Sequence, residues 1–117
     1  MKSFLRGFGY AFEGIAYAVR TQRNFRVQLI ISVLVIAAGL YFRLTPAEWA
    51  VIAVTIGLVL SMEMVNTVTE MAVDLLTQHY HPLAKVAKDV GAGAVLVTAA
   101  AAVAVGVAIF GPRLLGK

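Results

Sequence analysis

The chain has 117 residues, of which 61% are hydrophobic and 14% are charged, and it contains no cysteine. An ordinary soluble domain is roughly 45–50% apolar and about 25% charged, so this composition argues against a water-soluble monomer. The absence of cysteine excludes disulfides, thiol nucleophiles and metal sites with cysteine ligands. The net charge of +4 is concentrated in residues 1–26, which is typical of contact with a membrane surface and not of a nucleic-acid face.

The first predicted element is an amphipathic helix over residues 3–22. Apolar side chains recur in it at three- and four-residue spacing. They are Phe4, Leu5, Phe8, Phe12, Ile15 and Val19. Three glycines lower the intrinsic stability of this helix, so we expect it to fold against a membrane surface or against a helix bundle.

Three long apolar segments follow, over residues 26–43, 47–76 and 83–111, and each is a candidate transmembrane helix. Roughly 20 residues are needed to cross a hydrocarbon core of about 30 Å. Thr45 and Pro46 predict a capped start for the second segment, and Pro82 predicts the start of the third. A cleaved signal peptide fits poorly, because 25 residues that include charged side chains precede the first segment. We therefore predict one all-α membrane domain over residues 1–117.

Basic residues beside the segments predict the orientation of the chain. With the N-terminus in the cytoplasm, seven basic residues lie inside and three lie outside. The N-terminus is therefore predicted to be cytoplasmic, although Arg113 and Lys117 at the outer end weigh against this arrangement.

Four of the six acidic residues lie between positions 63 and 89. At roughly 100° per residue, Glu63, Glu70 and Asp74 lie within about 40° of one another, and Asn66 lies about 60° to one side, so all four share a helix face. Glu63 falls roughly 24 Å along the second segment, near the cytoplasmic edge of a core about 30 Å thick. Ionisable residues at that depth usually mark a functional site. The alternative is a helix that simply becomes polar as it leaves the bilayer.

This acidic face has the groups that phosphate transfer needs. Its carboxylates can hold a divalent cation or accept a proton, and Lys85 and Lys88 can meet phosphate charge from the next helix. No Walker A sequence is present. His79 and His81 are possible metal ligands, but a pair of histidines in a connecting segment is more typical of a solvent-exposed loop.

Several segments resemble the small bacterial integral-membrane lipid kinases of the prokaryotic diacylglycerol kinase and undecaprenol kinase family. They are Glu63–Asp74, Tyr80–Val95, Gly9-Tyr10-Ala11-Phe12 and Arg23-Asn24-Phe25-Arg26. The resemblance covers nearly the whole chain, and the Tyr-His-Pro-Leu-Ala-Lys sequence at 80–85 is more similar to the undecaprenol kinases of Gram-positive bacteria. It implies a homotrimeric bundle in which each subunit has one amphipathic surface helix and three transmembrane helices, with active sites shared between subunits. It also implies phosphorylation of a lipid alcohol by ATP and Mg²⁺ at the cytoplasmic side of the cell membrane.

The resemblance implies roles for nine side chains. Two act at the reacting groups, Glu63 as the catalytic base and Asn66 as the residue that positions the reactants. Arg6 lies near the lipid-substrate region, and Glu70 matches a metal-binding carboxylate. Four match nucleotide-contacting positions: Tyr10, Asp74, Lys88 and Asp89. Gln22 matches a second metal-binding position, where the family is expected to have a glutamate, and it brings no negative charge.

The predicted reaction is the conversion of undecaprenol to undecaprenyl phosphate. Conversion of diacylglycerol to phosphatidic acid is the alternative, because both acceptors present a hydroxyl on an apolar stem. A small multidrug or proton-coupled transporter has a similar length, but that class has four spans and a glutamate in the middle of the membrane. A purely structural membrane oligomer would leave the acidic face unexplained.

Overall fold

The computed structural model describes residues 1–116, and all its regular structure is helical. The four helices are α1 (Lys2–Thr21), α2 (Arg23–Phe42), α3 (Pro46–Leu76) and α4 (Pro82–Leu114). These bounds differ from the sequence-based ones by at most three residues. Helices α2, α3 and α4 are each long and apolar enough to cross a membrane, which confirms the predicted class of fold.

One residue separates α1 from α2. Gln22 has extended backbone angles, φ −108° and ψ 106°, and it ends α1 and precedes α2. The Arg26 side chain reaches back across this joint and donates to the carbonyls of Val19 and Arg20 at 3.0 and 3.1 Å. Carbonyls in the last turn of a helix lack partners within the helix. Arg26 therefore caps α1 and holds it against the start of α2.

The turn between α2 and α3 is short. A capping box begins α3 directly after it, and α3 packs closely against the end of α2. The Thr45 side chain accepts from the Glu48 N–H, and the Thr45 N–H donates to Glu48 Oε1, so α3 begins with a capping box. The predicted Thr45 cap is thus confirmed. A Cβ on Gly39 would lie 2.6 Å from a ring carbon of Trp49. Only glycine lets the ring approach α2 this closely.

Helices α3 and α4 form the most extensive antiparallel pair. A small apolar core of Leu44, Ile52 and Ile109 lies near the α2–α3 turn. At the same end, two nitrogens of Arg113 contact the two carboxylate oxygens of Glu48, each at 2.7 Å. This bidentate pair joins the start of α3 to the end of α4.

Helix α4 extends three residues beyond the predicted end at 111. Pro112 lies inside its last turn, where the prolyl ring removes one hydrogen bond. Arg113 stabilises this turn, because its guanidinium donates to the Ile109 carbonyl at 2.7 Å as well as to Glu48. A contact between distant helices thus accompanies the extension of α4 past the apolar segment that predicted its end.

Helices α3 and α4 are longer than α2 and project past it at one end. At about 1.5 Å per residue they measure roughly 46 and 50 Å, against about 30 Å for α2. All three meet at the α2–α3 turn, so the extra length lies at the other end, which we call the loop end because it carries residues 77–81. A hydrocarbon core of about 30 Å matches α2. The last third of α3 and the first third of α4 therefore lie outside that core.

Candidate functional site

Glu63 lies on α3 at the level where α2 begins, and its side chain is only 5% exposed. A cavity of about 350 Å³ lies beside it. Two amide side chains of α2, Asn24 and Gln28, share this cavity with small residues of α4, including Ala92 and Ala99. A buried carboxylate at the edge of the hydrocarbon core can accept a proton from a hydroxyl that arrives through the membrane.

Asn66 lies about one turn beyond Glu63 and packs against α4. Its amide nitrogen is 3.5 Å from Glu70 Oε1. Its oxygen is buried and has no hydrogen-bond partner within residues 1–116, and it faces Gly91, where an added Cβ would lie 2.5 Å away. Buried polar atoms are nearly always paired in proteins. An unpaired oxygen here is typical of a site that meets a ligand.

Two ion pairs lie at the loop end. Lys88 contacts Asp74 at 2.7 Å and so connects α4 to α3, whereas Lys85 contacts Asp89 at 2.7 Å within α4. The hydrogen bond that Lys88 donates to the Asp74 carboxylate raises the pKa of Lys88, so this side chain stays a cation. Exposed ion pairs add little stability. The two lysines can therefore exchange their carboxylate partners for a bound phosphate at little cost in stability.

The same four charged residues line an open cavity of about 400 Å³, together with the loop at residues 77–81. His81 Nδ1 accepts from the Leu83 N–H at 3.1 Å and caps α4. This histidine thus has a structural role in the loop. The cavity offers two cations and two carboxylates outside the hydrocarbon core, a setting suited to a polyphosphate with its metal ion.

The three predicted site residues before α2 lie apart from these groups. Arg6 and Tyr10 are exposed on α1, which packs mainly against α2. Gln22 is half-buried at the joint, and its amide donates to Thr21 Oγ1 at 3.2 Å. Within residues 1–116, none of the three lines the cavity beside Glu63 or the open cavity at the loop end. One copy of the chain therefore brings together the predicted site residues of α3 and α4 but not those of α1 and its joint.

Within residues 1–116, no three histidine, aspartate or glutamate side chains converge closely enough to hold a metal ion. Glu70 offers one carboxylate, whereas Asn66 turns its amide nitrogen, which cannot ligate a metal, toward Glu70 and its oxygen toward Gly91. Mg²⁺ in phosphate-transfer sites commonly takes one or two carboxylates and completes its shell with water and phosphate oxygens. The residues present therefore fit a magnesium ion that binds together with a phosphate.

Sequence reasoning missed the two amides near Glu63. Gln28 and Ser32 are polar and four residues apart in the otherwise apolar stretch of α2 over residues 27–42, so they lie on one face of that helix. This polar pair is the signal that could have directed attention to α2.

Comparison of the sequence with known proteins identifies the family of this chain. A family profile described as prokaryotic diacylglycerol kinase matches residues 9–110. The chain is 47% identical to a diacylglycerol kinase of Synechocystis sp. over 97% of its own length, and it spans 65% of that protein. It is 40% identical to an undecaprenol kinase of Bacillus subtilis over 97% of its length, and spans 93% of that protein. It is also 31% identical to a diacylglycerol kinase of Pseudomonas aeruginosa, over 80% of this chain and 76% of the relative.

Proposed function

The chain belongs to the prokaryotic diacylglycerol kinase family and is a lipid kinase, and from this premise we propose that it transfers the γ-phosphate of ATP to undecaprenol. It is a multi-pass membrane protein. Because the chain belongs to a kinase family, the kinase is favoured over the transporter alternative. One observation supports the proposal most directly. Buried Glu63 lies at the membrane edge, and the ion-paired Asp74 lies outside the core on the same helix.

Undecaprenol is favoured by the Bacillus subtilis relative, because the match covers nearly the full length of both chains. Diacylglycerol is the second candidate acceptor. It is favoured by the higher identity to the Synechocystis relative, of which this chain spans 65%. Both acceptors present the same hydroxyl to the site, so the chemistry below applies to either.

We propose that Glu63 accepts the proton of the lipid hydroxyl as its oxygen forms a bond to the γ-phosphorus. The bond between that phosphorus and the β–γ bridging oxygen breaks, and its electron pair leaves with ADP. Asp74 lies 11 residues beyond Glu63, about 16 Å along the helix axis, which is a suitable span for an extended nucleotide. In this scheme Lys88 turns from Asp74 to the phosphates and stabilises the charge of the transferred group.

Glu70 is the residue of α3 that would hold a magnesium ion, and Asn66 beside it would position the reactants. When bound there, Mg²⁺ supplies positive charge that neutralises the phosphate oxygens. Gln22 would bring a neutral oxygen where the resemblance expects a carboxylate. Asp89, Tyr10 and the loop-end cavity are assigned to the nucleotide in the same proposal.

We further propose a homotrimer in which α1 of one copy meets the acidic face of a neighbour. Two observations support this arrangement. Arg6 and Tyr10 are exposed and lie apart from the cavities of their own chain, and most large apolar side chains of the three membrane helices are exposed in a single copy. Basic residues at the loop end support a cytoplasmic site, and the motif at 80–85 supports a Gram-positive bacterial source.

Radiolabelled ATP, offered with undecaprenol or diacylglycerol in separate detergent micelles, tests the proposal. We expect label in both organic extracts, with the higher kcat/KM for undecaprenol. A faster reaction with diacylglycerol would assign the second candidate. Label in neither lipid, from protein whose helical circular dichroism shows it to be folded, would overturn the proposed reaction.

A further inference from the structure

Helix α1 is held to the rest of the chain at one end only. Every residue from Lys2 to Ile15 is exposed in a single copy, and Ala18 is the one buried residue of α1. This helix packs mainly against α2, across the one-residue joint at Gln22. The direction of α1 relative to the membrane helices is therefore set by its last two turns and by the joint.

The carbonyl groups in the last turn of α1 find their partners in the joint and in α2. The last four carbonyls of a helix lack partners within the helix. The Ala18 carbonyl accepts from the Gln22 N–H at 2.9 Å. One guanidinium nitrogen of Arg26, Nη1, donates to the next two carbonyls, those of Val19 and Arg20. Three of these carbonyls thus have partners, and two of the three depend on Arg26.

Arg26 joins the two helices through its backbone as well as through its side chain. Its N–H donates to the Gln22 carbonyl at 3.2 Å. The neighbouring Phe25 is only 3% exposed, so the start of α2 is fixed in the bundle. A cation at the C-terminus of a helix also interacts favourably with the helix dipole. These contacts together hold α1 in one direction relative to α2.

A small change of angle at this joint becomes a large displacement farther along α1. Tyr10 is exposed and lies ten residues before Arg20, about 15 Å away along the helix axis. A change of about 10° in the direction of α1 would therefore move Tyr10 by roughly 3 Å. A displacement of about 1 Å can already cost about 10² in rate when it misplaces a group of an active site. The placement of Tyr10 thus depends on the joint.

We propose that Arg26 is a positioning residue for the nucleotide. By joining the end of α1 to the start of α2, it fixes the direction of α1 and hence the place where Tyr10 meets a nucleotide bound at a neighbouring copy. This inference rests on the proposed function, which assigns Tyr10 to the nucleotide, and goes beyond it by naming the contact that sets the position of Tyr10. The rival is a membrane surface that orients α1 through its apolar face alone. That rival gives no role to the two side-chain hydrogen bonds of Arg26.

The direction of α1 can be measured directly, because the chain contains no native cysteine. Ser3 on α1 and Ala50 on α3 are exposed, so spin labels on Ser3→Cys and Ala50→Cys report the distance between the two helices. The doubly labelled chain is mixed with an excess of unlabelled chain before reconstitution into lipid nanodiscs. Pulsed electron–electron double resonance then reports distances within one copy.

We expect Arg26→Met, which keeps an unbranched stem and removes the donors, to broaden or shift the distance distribution. Arg23→Met is the matched control and should leave the distribution unchanged. Arg23 is exposed in the first turn of α2 and carries the same charge, but of the two arginines only Arg26 binds carbonyls of α1 within residues 1–116. An unchanged distribution in Arg26→Met would show that the membrane surface alone orients α1 and would overturn the proposal.

A double-mutant cycle tests whether Arg26 acts through Tyr10. We expect Arg26→Met to raise the KM for ATP at least about threefold, and Arg26→Lys to restore most of the affinity, because an ammonium can also donate to both carbonyls. In a Tyr10→Ala background, Arg26→Met should change the KM for ATP little further, since residues that act together have non-additive effects. Fully additive effects would overturn the action through Tyr10.

The two measurements separate this inference from the kinase function itself. Altered distances in Arg26→Met, together with an unchanged KM for ATP, would overturn the role of Arg26 toward the nucleotide and leave the proposed function standing. Absence of phosphorylation by the unmodified chain would instead overturn the proposed function. The distance measurement needs no ATP and would still decide whether Arg26 orients α1.

Discussion

The side-chain oxygen of Asn66 occupies the space that a side chain on Gly91 would need, since an added Cβ would lie 2.5 Å from it. The contact joins α3 to α4 beside Glu70, which the Asn66 amide approaches at 3.5 Å. Any residue larger than glycine at 91 must therefore move a group that we assign to the reaction. We therefore propose that Gly91 is a positioning residue that acts through Asn66.

Gly91→Ala is expected to lower kcat by about tenfold or more, because small misplacements of reacting groups can cost up to about 10² in rate. Gly93→Ala is the matched control, as a Cβ there meets nothing within 4 Å. Alanine favours a helix over glycine by up to about 1 kcal/mol, so both variants should remain folded. Steady-state rates of the two purified proteins check this prediction, which equal kcat values would contradict.

Glu63→Gln is expected to reduce kcat by roughly 10² or more, because glutamine keeps the size of the side chain but accepts no proton. Binding of a non-hydrolysable ATP analogue, measured by calorimetry, should be unchanged. Weakened nucleotide binding with retained kcat would instead assign Glu63 to the nucleotide site.

Lys88→Met should cost far more activity than Lys85→Met. Both lysines form 2.7 Å ion pairs beside the same cavity, but Lys88 pairs across helices with Asp74, whereas Lys85 pairs within α4. Of the two, only Lys88 bridges α3 and α4 beside the proposed phosphates. The ratio of the two kcat/KM values for ATP measures the difference, and similar losses in both variants would argue against a special role for Lys88.

Gln22→Glu should lower the magnesium concentration that gives the half-maximal rate, and should raise kcat. A carboxylate adds the negative charge that a neutral amide lacks, and Mg²⁺ favours charged oxygen ligands. Magnesium titrations of the two forms decide the matter. Superimposable curves would remove Gln22 from the metal site and leave Glu70 as its carboxylate.

Arg113→Lys should lower the thermal midpoint of unfolding without changing the KM for either substrate at low temperature. The guanidinium binds both Glu48 oxygens at 2.7 Å, and a lysine cannot reproduce this fork. Arg43→Lys, at the same end of the bundle, is the control. Equal midpoints in the two variants would show that the pair between α3 and α4 adds nothing to stability.

The sequence by itself determined the four helices to within three residues at each end, and which residues share the acidic face. Thr45 with Pro46 predicted the start of α3, apolar runs predicted the spans, and helical periodicity placed Glu63, Glu70 and Asp74 together. These are local signals, because caps, proline and a period of 3.6 residues act within one or two turns. For the same reason the end of the apolar run at Phe110 predicted too early an end for α4, where Arg113 in the added turn binds a partner 65 residues away.

Tertiary structure alone decided which side chains of different helices meet. It placed Asp74 with Lys88 and not with Lys85, set the Asn66 oxygen against Gly91, and brought Gln28 to the cavity beside Glu63. Each relationship depends on the rotation of one helix about its own axis relative to a neighbour. That rotation is set by the packing of whole helix surfaces, and no short stretch of sequence encodes it.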